Sequence, residues 1–125
     1  MKIDNRGQSL VLFVLMLPVI LLILVMVIDI GKMVLYRQEI NNINKLAIFY
    51  GLDKIDDNPE DLMREIIHQN NEEIVINKIE ISTDRIEVLV EVDVKFILFK
   101  NNDLVKIKSN YVGYMENGKK VVKGN

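Results

Sequence analysis

Residues 10–51 read LVLFVLMLPVILLILVMVIDIGKMVLYRQEINNINKLAIFYG, and a change of pattern inside this stretch decides the fold. Residues 10–28 are apolar throughout, with Pro18 the one irregularity. As a helix this run is about 28 Å long, close to the roughly 30 Å of a bilayer's hydrocarbon core. A helix buried in a soluble core is expected to keep one polar side, and this segment has none, so it is expected to cross a membrane. Pro18 removes one helical donor, which membrane helices tolerate when neighbouring groups satisfy the freed carbonyl. Lys2, Asp4, Asn5 and Arg6 precede the run, and Asp29 and Lys32 follow it. A cleaved secretory signal has a shorter apolar region and ends on small residues. Val25-Met26-Val27-Ile28-Asp29 offers none, so the anchor is expected to stay attached. Charge does not decide orientation, because Lys2 and Arg6 before the run face Lys32, Arg37 and Lys45 after it.

Beyond Asp29 the apolar residues Met33, Tyr36, Ile40, Ile43, Ala47 and Tyr50 recur every three or four positions. That spacing gathers them on one face of a continuing helix. Arg37, Glu39, Asn41, Asn42 and Asn44 fill much of the remainder, and Gly51 stands where a C-cap glycine is expected. One helix over about 9–50 is therefore predicted, apolar all round in its first half and striped in its second.

The rest of the chain must cover that stripe. Asn58-Pro59-Glu60-Asp61 reads as a helix start, with Asn58 capping, Pro59 at the first helical position and acids favoured by the dipole. Leu62, Met63, Ile66 and Ile67 give this short helix its apolar side, and its end is expected near Asn70. The period then falls to two. Ile86, Val88, Val90, Val92, Val94, Phe96 and Leu98 alternate with Glu87, Leu89, Glu91, Asp93 and Lys95, as in a strand with one buried face. A strand over 74–82 precedes it, with a bulge expected where Asn77-Lys78 shifts the alternation. Residues 100–103 form the next turn, 104–115 a third strand, and Asn117-Gly118 a hairpin signal that allows a short fourth. The expected class is α+β. A long helix, transmembrane then amphipathic, and a short helix pack on a three- to four-stranded antiparallel sheet.

The totals narrow the function classes. The chain has 125 residues, a net charge of −2 and no cysteine. That balance suggests no nucleic-acid footprint, and disulfides, thiolate metal sites and cysteine nucleophiles are excluded. His68 is the single histidine, on the short helix, and reads as a surface or packing residue. Asp53, Asp56, Asp57, Glu60 and Asp61 cluster near a helix start but lack the ligand order and turn glycine of a calcium loop. Glu87, Glu91 and Asp93 share a strand face, and Lys106 and Lys108 on the next strand are their natural ion-pair partners. No catalytic residues, cofactor or small-molecule substrate are therefore expected, and an enzyme is the least favoured class. Asp29 stands apart, because an acid at a membrane exit is costly. It reads equally as an intersubunit contact and as a helix-end residue among headgroups.

Arg6-Gly7-Gln8-Ser9-Leu10, the apolar run and the exit Ile28-Asp29-Ile30-Gly31-Lys32 resemble the TadE-like family, pseudopilins of the tight-adherence (Flp) branch of type IV pilus systems. Tyr36-Arg37-Gln38 and Ala47 in the amphipathic continuation are also similar, so the likeness covers residues 6–51. The resemblance implies cleavage between Gly7 and Gln8 by a prepilin peptidase. Glycine suits that cut because it lets an extended backbone enter a narrow cleft. It also implies a cytoplasmic N-terminus, a single pass through the cytoplasmic (inner) membrane and an extracytoplasmic domain. The implied partners are other pilins or pilus assembly-platform proteins. The implied divisions are a leader at 1–7, a transmembrane helix at 8–30, its amphipathic continuation at 31–51 and the domain at 52–125. One departure bears on assembly. The glutamate usual at the fifth position after the cut is replaced by Leu12, while the aromatic after it is kept as Phe13. A buried glutamate in a filament core needs a partner. Its loss favours a role at the base, the tip or the membrane over one in the filament core. The alternative reading is an unprocessed single-pass adaptor that presents a small interaction domain.

Overall fold

A computed structural model describes residues 5–95 and 105–124. The chain runs α1 (Asn5–Asp53), a 3-10 turn (Ile55–Asp57), α2 (Glu60–Asn70), β1 (Val75–Ile81), β2 (Arg85–Val94), β3 (Val105–Glu116) and β4 (Lys119–Gly124). The four strands form one antiparallel sheet in the order β1-β2-β3-β4, so each strand pairs with its sequence neighbour. This is the α+β arrangement expected, with the fourth strand present. The expected turn at 100–103, together with Phe96 and Leu98 of the alternating run, lies outside the described residues.

Each strand junction has a local cause. Asn77 falls out of register between Ile76 and Lys78, the expected bulge, so β1 keeps Ile76, Ile79 and Ile81 on the face that β2 turns inward. At the β3–β4 turn both Asn117 (φ 52°) and Gly118 (φ 76°) occupy the left-handed region. A two-residue hairpin of this hand requires that conformation at both positions.

α1 is 49 residues long, or about 70 Å at 1.5 Å per residue. The sheet and α2 cover only its C-terminal part. The core lies between them, built from Ile40, Ile43, Ala47, Ile48 and Leu52 of α1, Met63 and Ile67 of α2, and the inward row Ile86, Val88, Val90, Val92 and Val94 of β2. Ile107 of β3 extends that row. Met33 and Tyr36 pack against its edge.

Three sequence expectations are corrected. Tyr50 is half-exposed and leaves the stripe, which closes instead through Ile48 and Leu52. At 100° per residue, positions 40, 43, 44, 47, 48, 51 and 52 share one arc, whereas 50 has turned past its edge. Gly51 does not end α1, which runs two residues further. A Cβ there would sit 2.6 Å from Met63 Sδ, so Gly51 leaves the room that Met63 of α2 occupies. The helix start at 58–61 is shifted by one. Pro59 occupies the N-cap, its carbonyl accepting from Met63 N–H at 2.9 Å, while Asn58 adopts φ 52° and makes no capping bond.

Candidate functional site

The first half of α1 has no packing partner among the described residues. Its most apolar window is long and apolar enough to cross a membrane, and none of that window is buried. A core helix of a soluble domain would be covered by its own chain. Here the large apolar side chains over 10–24 are each open to 42% or more of their area, Leu12 and Phe13 at 59% each. So large an apolar surface is unstable in water.

Gly7 and Gln8 lie in the first turns of α1, with nothing within 4 Å of the place a Gly7 Cβ would take. The first backbone N–H groups of a helix have no intrahelical acceptor, so this end unwinds at little cost. Leu12 and Phe13 follow on the uncovered helix. Asp29 differs from all four. It is 5% exposed and is engaged by another group of the chain. Steps of four, three, four and three lead from Asp29 through Met33, Tyr36 and Ile40 to Ile43, so the acid lies on the face of the stripe. The stripe therefore begins at the acid, four residues earlier than the sequence reading placed it.

Asn44, expected on the polar side of α1, is completely buried. Its Nδ2 donates to Val88 O, Ser109 O and Ser109 Oγ, each at 3.2 Å. Ser109 is itself buried. One helix side chain thus bridges the two central strands and fixes how far α1 can slide along the sheet. The signal was present in the sequence, since Asn44 stands four residues after Ile40 and four before Ile48. Gly113 was also missed. A Cβ there would overlap Ile48 Cγ2, so the glycine lets α1 approach β3 closely. Nothing in a single sequence marks which strand residue faces a helix at that distance.

The remaining candidates are placed as follows. His68 is exposed in the last turn of α2. Glu60 pairs with Arg64 at 2.9 Å, and Asp53 with Lys120 at 2.6 Å. Asp56, Asp57 and Asp61 are exposed, and among the described residues no group of three or more acids or histidines could hold a metal. On the outer sheet face Glu91 sits opposite Lys108 and Asp93 opposite Lys106, yet the bridge that forms is diagonal, Lys106 to Glu91 at 3.9 Å. Glu87 turns the other way, to Lys78 of β1 at 3.8 Å. These are cross-strand pairs in which the lysines are exposed while Glu87 and Glu91 keep only 18% and 15% of their side-chain area open, so the face is less solvated than expected. Lys123 has its pKa raised, chiefly by a hydrogen bond with Tyr114 and then by the negative charge of that phenol when ionised.

Away from the sheet, Leu35, Leu46, Phe49 and Tyr50 of α1 stay exposed. Lysines border this side. Lys120 Nζ lies 3.8 Å from the Phe49 ring centroid, and Lys45 Nζ lies 5.1 Å from that of Tyr111. Comparison with protein-family models, curated proteins and solved structures found no match to this chain.

Proposed function

We propose that this chain is a pseudopilin-like subunit for assembly of a Tad/Flp-type pilus. It would be anchored in the cytoplasmic membrane through α1 and processed after Gly7. One observation carries the reading. A single uninterrupted helix leaves its apolar half wholly uncovered while its second half lies beneath an antiparallel sheet. That division of labour suits a subunit that is held in the bilayer first and joins its partners through the helix afterwards. The Arg6-Gly7-Gln8 step at the mouth of the apolar run supports the processing site. The exposed side chains Leu35, Leu46 and Phe49 support a helix that meets other subunits beyond the membrane. Leu12 in place of the usual glutamate favours a position at the membrane or at an end of the assembly.

The function so read is structural. Prepilin peptidase and other pilins or assembly-platform proteins are the partners, the leader is cytoplasmic, and the sheet lies outside. Intact mass of the protein from membranes of cells with and without the peptidase tests it. Peptidase-dependent loss of residues 1–7 is the expected result. An unchanged mass refutes processing and favours the unprocessed adaptor.

A further inference from the structure

The sheet ends in two unpaired strands. Its order is β1-β2-β3-β4, so β1 and β4 each lack a partner strand on one side among the described residues. Which backbone groups face outward follows from the hairpins. Glu116 and Lys119 close the two-residue turn as a hydrogen-bonded pair, so by alternation Lys120, Val122 and Gly124 turn their N–H and C=O groups away from β3. At the other edge Ser82 N–H donates to Arg85 O at 2.8 Å, so the outward groups of β1 belong to Ile79 and Ile81. The bulge at Asn77 interrupts the ladder and bounds that free stretch.

The two edges differ in charge. β4 carries Lys119, Lys120 and Lys123 and no acid. Asp53 holds Lys120, which leaves Lys119 and Lys123 exposed. Residues 60–81, which are α2, its connection and β1, hold six acids against Arg64 and Lys78. On β1 itself Lys78 is shared between Glu80 at 3.2 Å and Glu87 at 3.8 Å, so one ammonium serves two carboxylates. The helix layer repeats the order of the sheet, with α2 packing on β1 and α1 on β2, β3 and β4. Beside β4, α1 leaves a notch of about 420 Å³ lined by Asn42, Lys45, Leu46, Phe49, Lys120 and Val122. The basic edge thus has a recess in the helix layer as well as a free strand.

We propose that β4 of one copy pairs with β1 of a second copy, continuing the sheet from molecule to molecule. The pairing rests on the reading of α1 as a bilayer helix, because copies anchored in one membrane then stand the same way up. A copy displaced sideways without turning keeps every strand direction. In an antiparallel sheet of four the first and last strands run oppositely, so this displacement sets β1 of the next copy antiparallel to β4. Charge selects the register. Lys123 opposite Glu80 sets Val122 opposite Ile81 and Val121 opposite Ser82, with the outward groups of both strands facing each other. A slip of two residues one way opposes Lys123 to Lys78, which is unfavourable. The same slip the other way carries Lys123 past the end of β1 at Ile81. Pairing β4 with a second β4 gathers lysines, which disfavour that contact. The interface joins two different edges, so it leaves one free at each end and repeats as a row. It also brings the acidic α2 of the next copy to the notch beside β4.

The chain has no cysteine, so an introduced pair reports the contact. Full chains bearing Ser82→Cys and Val121→Cys respectively are produced together in bacterial cells, and their membranes are oxidised. In this register the two positions form a non-hydrogen-bonded pair, the closer kind in an antiparallel ladder, and suit a disulfide. The mixture is expected to give covalent dimers, each chain alone none, and the doubly substituted chain a ladder of higher multiples. Glu80→Lys in the Ser82→Cys chain should lower the dimer yield about fivefold, the swing from one attractive to one repulsive cross-strand pair. Lys123→Glu in the Val121→Cys chain should restore it, which also shows that both variants fold. Dimers from either chain alone at the yield of the mixture overturn the proposal, as does a yield indifferent to charge reversal. If the chain is absent from the membranes, the bilayer reading of α1 fails and the shared orientation falls with it. If it is present and gives no mixed dimer, only the edge pairing fails.

Discussion

The two halves of α1 are one continuous helix made stable by different surroundings. Residues 10–28 are apolar on every side, and none of the most apolar window is buried by the described residues, whereas from Ile40 onward a single arc is buried beneath the sheet and α2. The first half asks only for a uniform apolar solvent, so its side chains are interchangeable in size. The second half meets shaped neighbours, where Gly113, Gly51 and Asn44 each answer a particular atom across the contact. Composition is enough to specify the former. The latter depends on the matching of individual positions.

The largest expected effect separates the halves outright. Replacing Leu17 and Leu21 by arginine should cost about 2.5–3.5 kcal/mol each on insertion and shift the chain out of the membrane fraction. A fragment beginning at Asp29 should still fold in water, and circular dichroism with sheet and helix signals checks this. Loss of the domain's fold in that fragment would show that the halves are not separable.

Next comes Ile48→Ala, which removes the side chain seated over Gly113 and should destabilise the domain by about 2–5 kcal/mol in urea unfolding of the fragment. The same exchange at Leu15, fully apolar but uncovered, should leave that midpoint unchanged in the detergent-solubilised full chain.

Asn44 tests the contact's polar component. Asn44→Leu deprives Val88 O and Ser109 O of their donor and should cost about 1–3 kcal/mol. Asn44→Asp should cost more at neutral pH, because a buried carboxylate would face carbonyl oxygens. Burial raises the folded-state pKa of such an acid above its unfolded value, so the extra loss should fade as pH falls below the raised pKa. Equal midpoints for the two variants across pH would overturn the assignment of Asn44 as a donor.

The smallest effects lie at the surface. Asp53→Asn removes the partner of Lys120 and should change stability by about 0.2–1 kcal/mol or less, since Asp53 is half-exposed. Tyr114→Phe should lower the Lys123 pKa toward its ordinary value, as followed by NMR titration of the ε-methylene signals. The raised pKa means that any stabilising interaction of charged Lys123 is complete at neutral pH and lost only in the alkaline range above its ordinary pKa.

Much of this architecture is legible without coordinates, because period reports environment. An all-apolar run announces α1's first half, spacing of three and four its second, and alternation in 86–94 the central strand with its buried row. Asn77's break in alternation and the Asn117-Gly118 pair locate a bulge and a turn through backbone preferences that act within a few residues. Asn44 shows where such reading stops. A polar residue on an apolar arc is ambiguous until the strands that accept its hydrogens are known, and those lie 44 and 65 positions away in the chain. Gly51 fails in the same way. Its sequence context suited a helix end, and only the arrival of Met63 from α2 explains a glycine inside the helix. The candidate site divides likewise. Gly7, Gln8, Leu12 and Phe13 are legible in the sequence, whereas the burial of Asp29 requires the folded chain. Local periodicity and turn chemistry are properties of adjacent residues and are written in their order. Which distant groups share a space follows from how helix and sheet pack, and only the tertiary structure decides it.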